Sequence, residues 1–340
     1  MASTATERIV DEWFPVIDAA LVRPGTWHPF ELLDDRYVLA CGDDGTVLVT
    51  RDTCPHRGAR LTLGTFDGGC IQCPYHGWRF DTAGRCVEFP AHPGLEPPAA
   101  ASLRPLRAQE AYGLWWVCLG DDPRPLPYYP AYAEHPGRTV NIGPKILEAT
   151  GPRIVENFLD MAHFPYVHGG YLGEVPRTEV RDYDVATDDS VPGGELRFTN
   201  CVFWQPDPGP TAVGGGDVGY EYGVSHPYAA RLRKVPELAG DDTATFSLLI
   251  VASPETETRC RVWMLTTVAD PAGDLDSFNA YNEIIFGQDV DTVESQRPKR
   301  LPLDPRAEVH QRADKGSNAY RRWLADRGIR YGTSLNDSDS

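Results

Sequence analysis

Short apolar runs separated by turn residues fill the first third of the chain. Residues 37–40 and 46–49 flank Asp43-Asp44-Gly45, whose composition predicts a hairpin connection. Residues 78–80 and 114–119 read as further strands, the second rich in β-branched and aromatic side chains. Proline then crowds positions 123 to 136, ending any strand or helix and predicting a domain boundary. Beyond it the periodicity changes. Residues 153–167 carry helical spacing, interrupted by Pro165. Strand-like runs return between 196 and 268, among them 245–251 and 261–267. They are broken by a Gly- and Pro-rich stretch at 206–223 that reads as a mobile loop. Two helices, near 275–296 and 307–326, close the chain. The expected organisation is a β domain over 10–125, a mixed domain over 130–332 and a disordered tail over 333–340.

With 340 residues, 41% of them hydrophobic, the chain can bury a substantial core. No run of eighteen apolar residues is present, so no membrane span is expected. Residues 1–11 lack the apolar stretch of a signal peptide, which makes a cytoplasmic location the expectation. A net charge of −17 argues against nucleic acid as a partner and favours solubility. Eight cysteines without a secretion signal do not imply disulfides; most fit as small core residues. The question is which of them bind metal.

Residues 54 to 80 contain Cys-Pro-His-Arg-Gly, a spacer, then Cys-Pro-Tyr-His-Gly-Trp. Cys54, His56, Cys73 and His76 thus lie in two near-matched tight turns, each offering one thiolate and one imidazole. Such a set suits a [2Fe–2S] cluster in which two cysteines hold one iron and two histidines the other. Neutral imidazoles make that cluster less negative and raise its potential. Gly58 and Gly77 would let backbone amides approach the sulfurs. The competing assignment is a zinc site using Cys70, Cys73, Cys54 and His56. It leaves His76 and the matched turns unexplained.

A second constellation follows the boundary. His163 and His168 are five residues apart, too far for ideal helical neighbours, but Pro165 between them allows the second to turn back. Two histidines and one carboxylate, with coordination positions left open, suit non-haem Fe(II) and O₂. The helix near 275–296 offers Asp289, Asp291 and Glu294 as the third ligand. Asp289 shares a face with Ile285 and Phe286, toward an apolar cavity.

These motifs resemble the Rieske non-haem iron oxygenase α subunits over nearly the whole chain. Trp13-Phe14-Pro15-Val16 is similar to their opening, and Gly113-Leu114-Trp115-Trp116-Val117 to the last strand of their Rieske domain. Asn157-x₂-Asp160-x₂-His163-x₄-His168 matches their iron-binding segment. Residues 288–294 match the helix of their third ligand, which singles out Asp289. Residues 313–324 resemble the ending of the vanillate O-demethylase and toluenesulfonate monooxygenase branch. Cys41 and Cys118 depart from that branch.

The resemblance implies an α+β chain: an all-β Rieske domain followed by a helix-grip (START/Bet v 1-like) domain, an antiparallel sheet around a long helix. It also implies a homotrimer, in which Asp160 bridges His163 of its own chain to His76 of a neighbour.

The expected activity is a monooxygenase or demethylase acting on an aromatic or natural-product small molecule. It would use O₂ and NAD(P)H-derived electrons from a separate ferredoxin or flavin reductase. Ring dihydroxylation is the alternative within the class; electron transfer or ligand binding without oxygenase activity is the alternative outside it. Asn282, Ile285 and Phe286 are expected to line the substrate pocket, and the 206–223 loop to act as its lid. Arg51, Arg57, Arg60, Arg79 and Arg85, against Asp52, Asp67 and Asp81, would form a basic collar that receives the electron donor.

Overall fold

A computed structural model describes residues 9–208, 214–236, 246–270 and 273–335. The chain divides into two compact units, the smaller formed by residues 10–123 with 254–256. In the smaller unit β1 (Trp13–Asp18) pairs with β10 (Leu114–Cys118), which pairs with β9 (Arg107–Ala111). A second sheet joins β2 (Thr26–Leu32), β3 (Asp35–Cys41) and β4 (Val47–Arg51). A third joins β5 (Thr65–Phe66), β6 (Cys70–Gln72), β7 (Arg79–Asp81) and β8 (Cys86–Glu88). The 41-to-47 connection turns on Asp43, Asp44 and Gly45 as expected, with Gly45 at φ 82°.

The core beneath the third sheet gathers Leu48, Leu61, Ile71, Phe80 and Leu103 around Cys54 and Cys73. Each fully buried aliphatic or aromatic side chain contributes about 1.5–3 kcal/mol. That packing anchors the two cysteine turns.

The larger unit is a seven-stranded antiparallel sheet. Its members are β11 (Thr139–Leu147), β12 (Asp184–Asp188), β13 (Glu195–Gln205), β14 (Gly216–His226), β15 (Ala229–Pro236), β16 (Phe246–Thr256) and β17 (Arg259–Val268), in spatial order β11-β17-β16-β15-β14-β13-β12. The α1 turn (Ala131–Glu134) precedes the sheet. Helices α2 (Gly151–Leu159) and α3 (Phe164–Val167) follow β11, and α4 (Leu275–Ser295) lies against β11 and β17. The α4 face carrying Phe278, Tyr281, Asn282 and Phe286 is buried. Helix α5 (Lys315–Asp326) packs on α2 and β13. Sheet and long helix together realise the helix-grip architecture.

Four expectations change. The helix expected over 153–167 ends at Leu159, before Pro165. Asp160 breaks it, because its carboxylate accepts from the amides of Ala162 (3.0 Å) and His163 (3.2 Å) and so stabilises a turn in place of helix. Pro165 sits in the first turn of α3, where its missing N–H costs nothing. The last helix starts at Lys315 and not near 307, after a 3₁₀ turn whose capping box joins Gln311 and Asp314.

Of the loop expected over 206–223, residues 216–223 belong to β14, where alternate apolar side chains satisfy a strand despite the glycines. Residues 209–213 lie outside the described residues. Residues 333–334, expected to open a disordered tail, are ordered: β18 (Leu301–Pro302) pairs in parallel with β19 (Thr333–Ser334), and both Thr333 and Ser334 are buried. Residues 336–340 lie outside the described residues. Among the described residues no helix is long and apolar enough to cross a membrane.

Candidate metal centres

In the smaller unit the two cysteine turns are near copies. Cys54 N–H donates to Ala59 O (2.8 Å) and Gly58 N–H to Cys54 O (2.9 Å). Cys73 N–H donates to Trp78 O (2.9 Å) and Gly77 N–H to Cys73 O (3.1 Å). Gly58 at φ 72° and Gly77 at φ 71° occupy the left-handed region that side chains disfavour. The glycines thus close the turns by bonding to the cysteine carbonyls. The amides directed at the Cys54 sulfur belong to His56 and Arg57.

Both cysteines are buried, and burial with the adjacent Cys73 sulfur pushes the Cys54 thiol up to about 11 despite those amides. A thiolate here therefore needs a metal. The His56 and His76 ring centroids are 4.5 Å apart. His56 also stacks in parallel on Trp78 at 4.3 Å, and its Nδ1 is buried without a hydrogen-bond partner. Burial, His76 and Arg57 lower the His56 pKa and keep the ring neutral, its lone pair free. An orphaned buried imidazole nitrogen beside two buried thiols fits a cluster with Cys54 and Cys73 on one iron and His56 and His76 on the other. Zinc fails on geometry. Cys70 opens β6, outside the turn that holds Cys73, and contacts Arg79; Cys70, Cys73, Cys54 and His56 do not converge as one set of ligand atoms.

The basic collar is largely neutralised. Arg51 pairs with Asp35, Arg60 with Asp52 (3.3 Å), Arg79 with Asp67 (2.7 Å) and Glu88 (3.7 Å), and Arg85 with Asp81 (2.7 Å). Asp35 and Glu88 lie outside the sequence window and arrive through strand pairing, as in the Arg79–Glu88 register. Arg57 alone of the five has no ion-pair partner among the described residues.

In the larger unit His163, His168 and Asp289 converge, and their ligand atoms all lie within 4.8 Å of one another. His163 Nε2 and His168 Nε2 are 3.1 Å apart, and Asp289 Oδ1 is 3.5 and 3.3 Å from them. The far side of each ring fixes its tautomer. His163 Nδ1 donates to Asp160 Oδ2 (2.9 Å) and His168 Nδ1 to Gln288 Oε1 (2.9 Å). Burial raises the Asp160 pKa, but the His163 contact and the Ala162 and His163 amides outweigh it and hold the carboxyl below its usual range. With both Nδ1 protons committed, two Nε2 lone pairs and a carboxylate oxygen face one point. Three acceptors crowded without a proton between them call for a cation. The 2-His-1-carboxylate set fits Fe(II) with open coordination positions.

The centre opens onto a cavity whose walls are mostly apolar. Asn282, Ile285 and Phe286 line it, as do Phe164, Tyr220 and Leu248. Asp291 and Glu294 stay away from the centre: Asp291 is exposed, and Glu294 accepts from the Glu148 amide (2.9 Å).

Sequence reasoning gave no role to Gln288, Asn157 or Lys234. Gln288 holds His168, and Asn157 Nδ2 donates to Asp289 Oδ1 (3.3 Å). The signal for both was position, Gln288 preceding a ligand and Asn157 one turn before Asp160. Lys234 lines the cavity in phase with Leu232, an inward row that strand alternation makes readable.

Residues 12–100 match the Rieske [2Fe-2S] domain family, and residues 147–328 the vanillate O-demethylase oxygenase C-terminal domain family. The probable methylxanthine N7-demethylase NdmC of Pseudomonas sp. (strain TJI-51) is 37% identical over 67% of this chain and 80% of its own. The methylxanthine N1-demethylase NdmA of Pseudomonas putida is 32% identical over 92% and 88%. The solved structure of Pseudomonas putida CBB5 NdmA with caffeine superposes with a TM-score of 0.78 at 28% identity, covering 98% of this chain and 99% of that one.

Proposed function

Because the chain belongs to the Rieske non-haem iron oxygenases, in the vanillate O-demethylase branch, we propose that it is the terminal oxygenase of a monooxygenase system that demethylates or hydroxylates an aromatic or natural-product small molecule. The observation that carries this reading is the convergence of His163, His168 and Asp289 at the end of an apolar cavity. A redox carrier needs no such second centre.

The family's cofactors are the [2Fe–2S] cluster and a mononuclear iron, with electrons supplied by a separate reductase. Cys54, His56, Cys73 and His76 would hold the first, and His163, His168 and Asp289 the second. When bound, the cluster delivers single electrons and the iron activates O₂ at its open positions. In the balanced reaction, O₂, two electrons and two protons put one oxygen atom into a C–H bond and the other into water. On an O- or N-methyl group the hydroxylated carbon then leaves as formaldehyde.

The chain's own residues do the positioning. Asp160 and Gln288 each accept an Nδ1 proton and fix the two imidazoles with their Nε2 lone pairs inward. Asn157 orients Asp289. Phe164, Phe246, Leu248, Ile285 and Phe286 exclude water from the reacting carbon and hold an apolar body beside the centre. Asn282, its amide donating to Thr266 Oγ1 (3.1 Å), keeps its carbonyl for the substrate. Asp160 is 26% exposed and borders a surface cavity with His163, His310 and Arg321. These features support a trimer in which the exposed His76 of a neighbour meets Asp160 and electrons cross through that carboxylate.

The test is reconstitution with a reductase and NADH, screening methoxy-aromatic and N-methyl heterocyclic candidates. Substrate-dependent O₂ uptake with formaldehyde or an alcohol formed in equal amount supports the reading. Cluster reoxidation unaffected by every candidate contradicts it.

A further inference from the structure

Among the described residues the cavity wall carries one lysine or arginine, Lys234. Along β15, Ala230, Leu232 and Lys234 point inward while Arg231 and Arg233 take the other face, as a period of two requires. Lys234 therefore stands in a row that otherwise takes apolar residues, and it is only 2% exposed. Its cross-strand neighbours are Tyr220 on β14 and Phe246 on β16. Its Nζ lies 5.9 Å from the Tyr220 ring, 5.3 Å from Phe246 and 5.6 Å from Tyr281.

Among the described residues the Lys234 ammonium makes no hydrogen bond or ion pair. The groups of charge or titration facing it are Tyr220, Tyr281 and, electrostatically, Asp207. The two phenols are committed elsewhere: Tyr281 donates to Asp207 O (2.9 Å), and the Tyr220 hydroxyl accepts from the Gln205 side chain. Aromatic faces attract a cation but do not replace its water. With open cavity in front and no counter-ion within ion-pair reach among the described residues, this buried amine is poised for one that arrives with the ligand. Burial lowers its pKa to about 7, against a smaller opposing pull from Asp207, which is the response expected of an unpaired ammonium.

We propose that Lys234 is the substrate-recognition residue of this cavity and that the substrate class is an apolar, mostly aromatic body bearing an anionic head group, a carboxylate or sulfonate. The anion pairs with the Lys234 ammonium, and the apolar body lies between the β14–β16 wall and α4, its far end reaching toward His163, His168 and Asp289. The Tyr222 hydroxyl, on β14 and buried without a partner, is a second donor on the same wall. Calling the bound acid a substrate rests on the oxygenase reading. The binding itself does not.

The test is equilibrium dialysis of the iron-loaded protein, without reductase, against aromatic acids each paired with its primary carboxamide, such as 4-methoxybenzoate with 4-methoxybenzamide. The acids should bind about tenfold or more tightly than their amides, as a charge-assisted pair requires. Lys234→Met should remove that preference while leaving amide affinities within about threefold, a pattern that general damage to the fold does not produce. Wild-type protein supplies a second readout. At pH 8, where Lys234 is mostly neutral, acid binding should take up protons, seen as heats that differ between buffers of different ionisation enthalpy. Acids binding no better than amides, silence of the acids included, overturns the proposal. So does a preference that survives in Lys234→Met, which would place the anion on the metal. Because no turnover is needed, failure here leaves the oxygenase reading standing, and failure of turnover leaves this one standing.

Discussion

His168 Nδ1 donates to Gln288 Oε1 at 2.9 Å, and Gln288 immediately precedes Asp289 on α4. One helix therefore supplies both a carboxylate to the centre and the acceptor that orients the opposite imidazole. Gln288→Leu removes the acceptor and frees the ring to turn. Iron affinity should fall about 10- to 100-fold, the usual effect of losing such a support. Iron content after dialysis, with the cluster absorbance as internal reference, measures it.

Asp160→Asn keeps an oxygen for His163 but loses the charge, which the His163 contact and two amides hold ionised in the native chain. The expected outcome is a cluster still reduced by the reductase, iron retained, and turnover stopped. Stopped-flow reoxidation of the reduced cluster with substrate and O₂ checks it; a wild-type rate would remove Asp160 from the electron path.

Arg321 ties α5 to α2. Its guanidinium grips both Glu156 oxygens (2.6 and 3.0 Å) and Glu308 (2.5 Å), with its side chain 5% exposed. Arg153 reaches the same two carboxylates (3.4 and 2.6 Å), so Arg321→Met leaves them sharing one guanidinium and should cost less than the about 3–5 kcal/mol of a wholly unpaired buried charge in denaturant unfolding. Glu156 adjoins Asn157, so iron retention should fall with it.

Lys234 gives stability a pH signature. Its folded pKa of about 7 lies below the ordinary 10.5, so between these values the unfolded chain binds the extra proton and stability rises with pH. Below pH 7 the full penalty applies. Lys234→Met lacks it. The stability advantage of the variant over the native protein should therefore shrink by about 1 kcal/mol per pH unit from pH 7 to 9. A constant gap across that range would mean that the amine stays charged. Paired denaturant unfolding at several pH values decides between them.

Much of this was readable in advance, for identifiable reasons. Metal ligands must sit at fixed spacing in tight turns, so Cys54, His56, Cys73 and His76 announce themselves. His163 and His168 did so less clearly, and for a reason that proved wrong, since Asp160 makes the break that was assigned to Pro165. Strand alternation placed β3, β4 and β10 well. It misled at 216–223, because glycine content reads as loop while the inward rows formed by Val218, Tyr220 and Tyr222 read as strand. The expected basic collar carries less net charge than its sequence window, because Asp35 and Glu88 join it through strand pairing across the sheet. Gln288 and Lys234 were not singled out, because their roles depend on which side chains they face.

The central claim is a second iron held by His163, His168 and Asp289. Metal analysis of the purified protein and of Asp289→Ala, with the cluster's electron paramagnetic resonance signal recorded on each, tests it most directly. The account predicts about three irons per native chain and about two in the variant, with the cluster signal unchanged. Two irons in the native protein, or no loss on replacing Asp289, would contradict it.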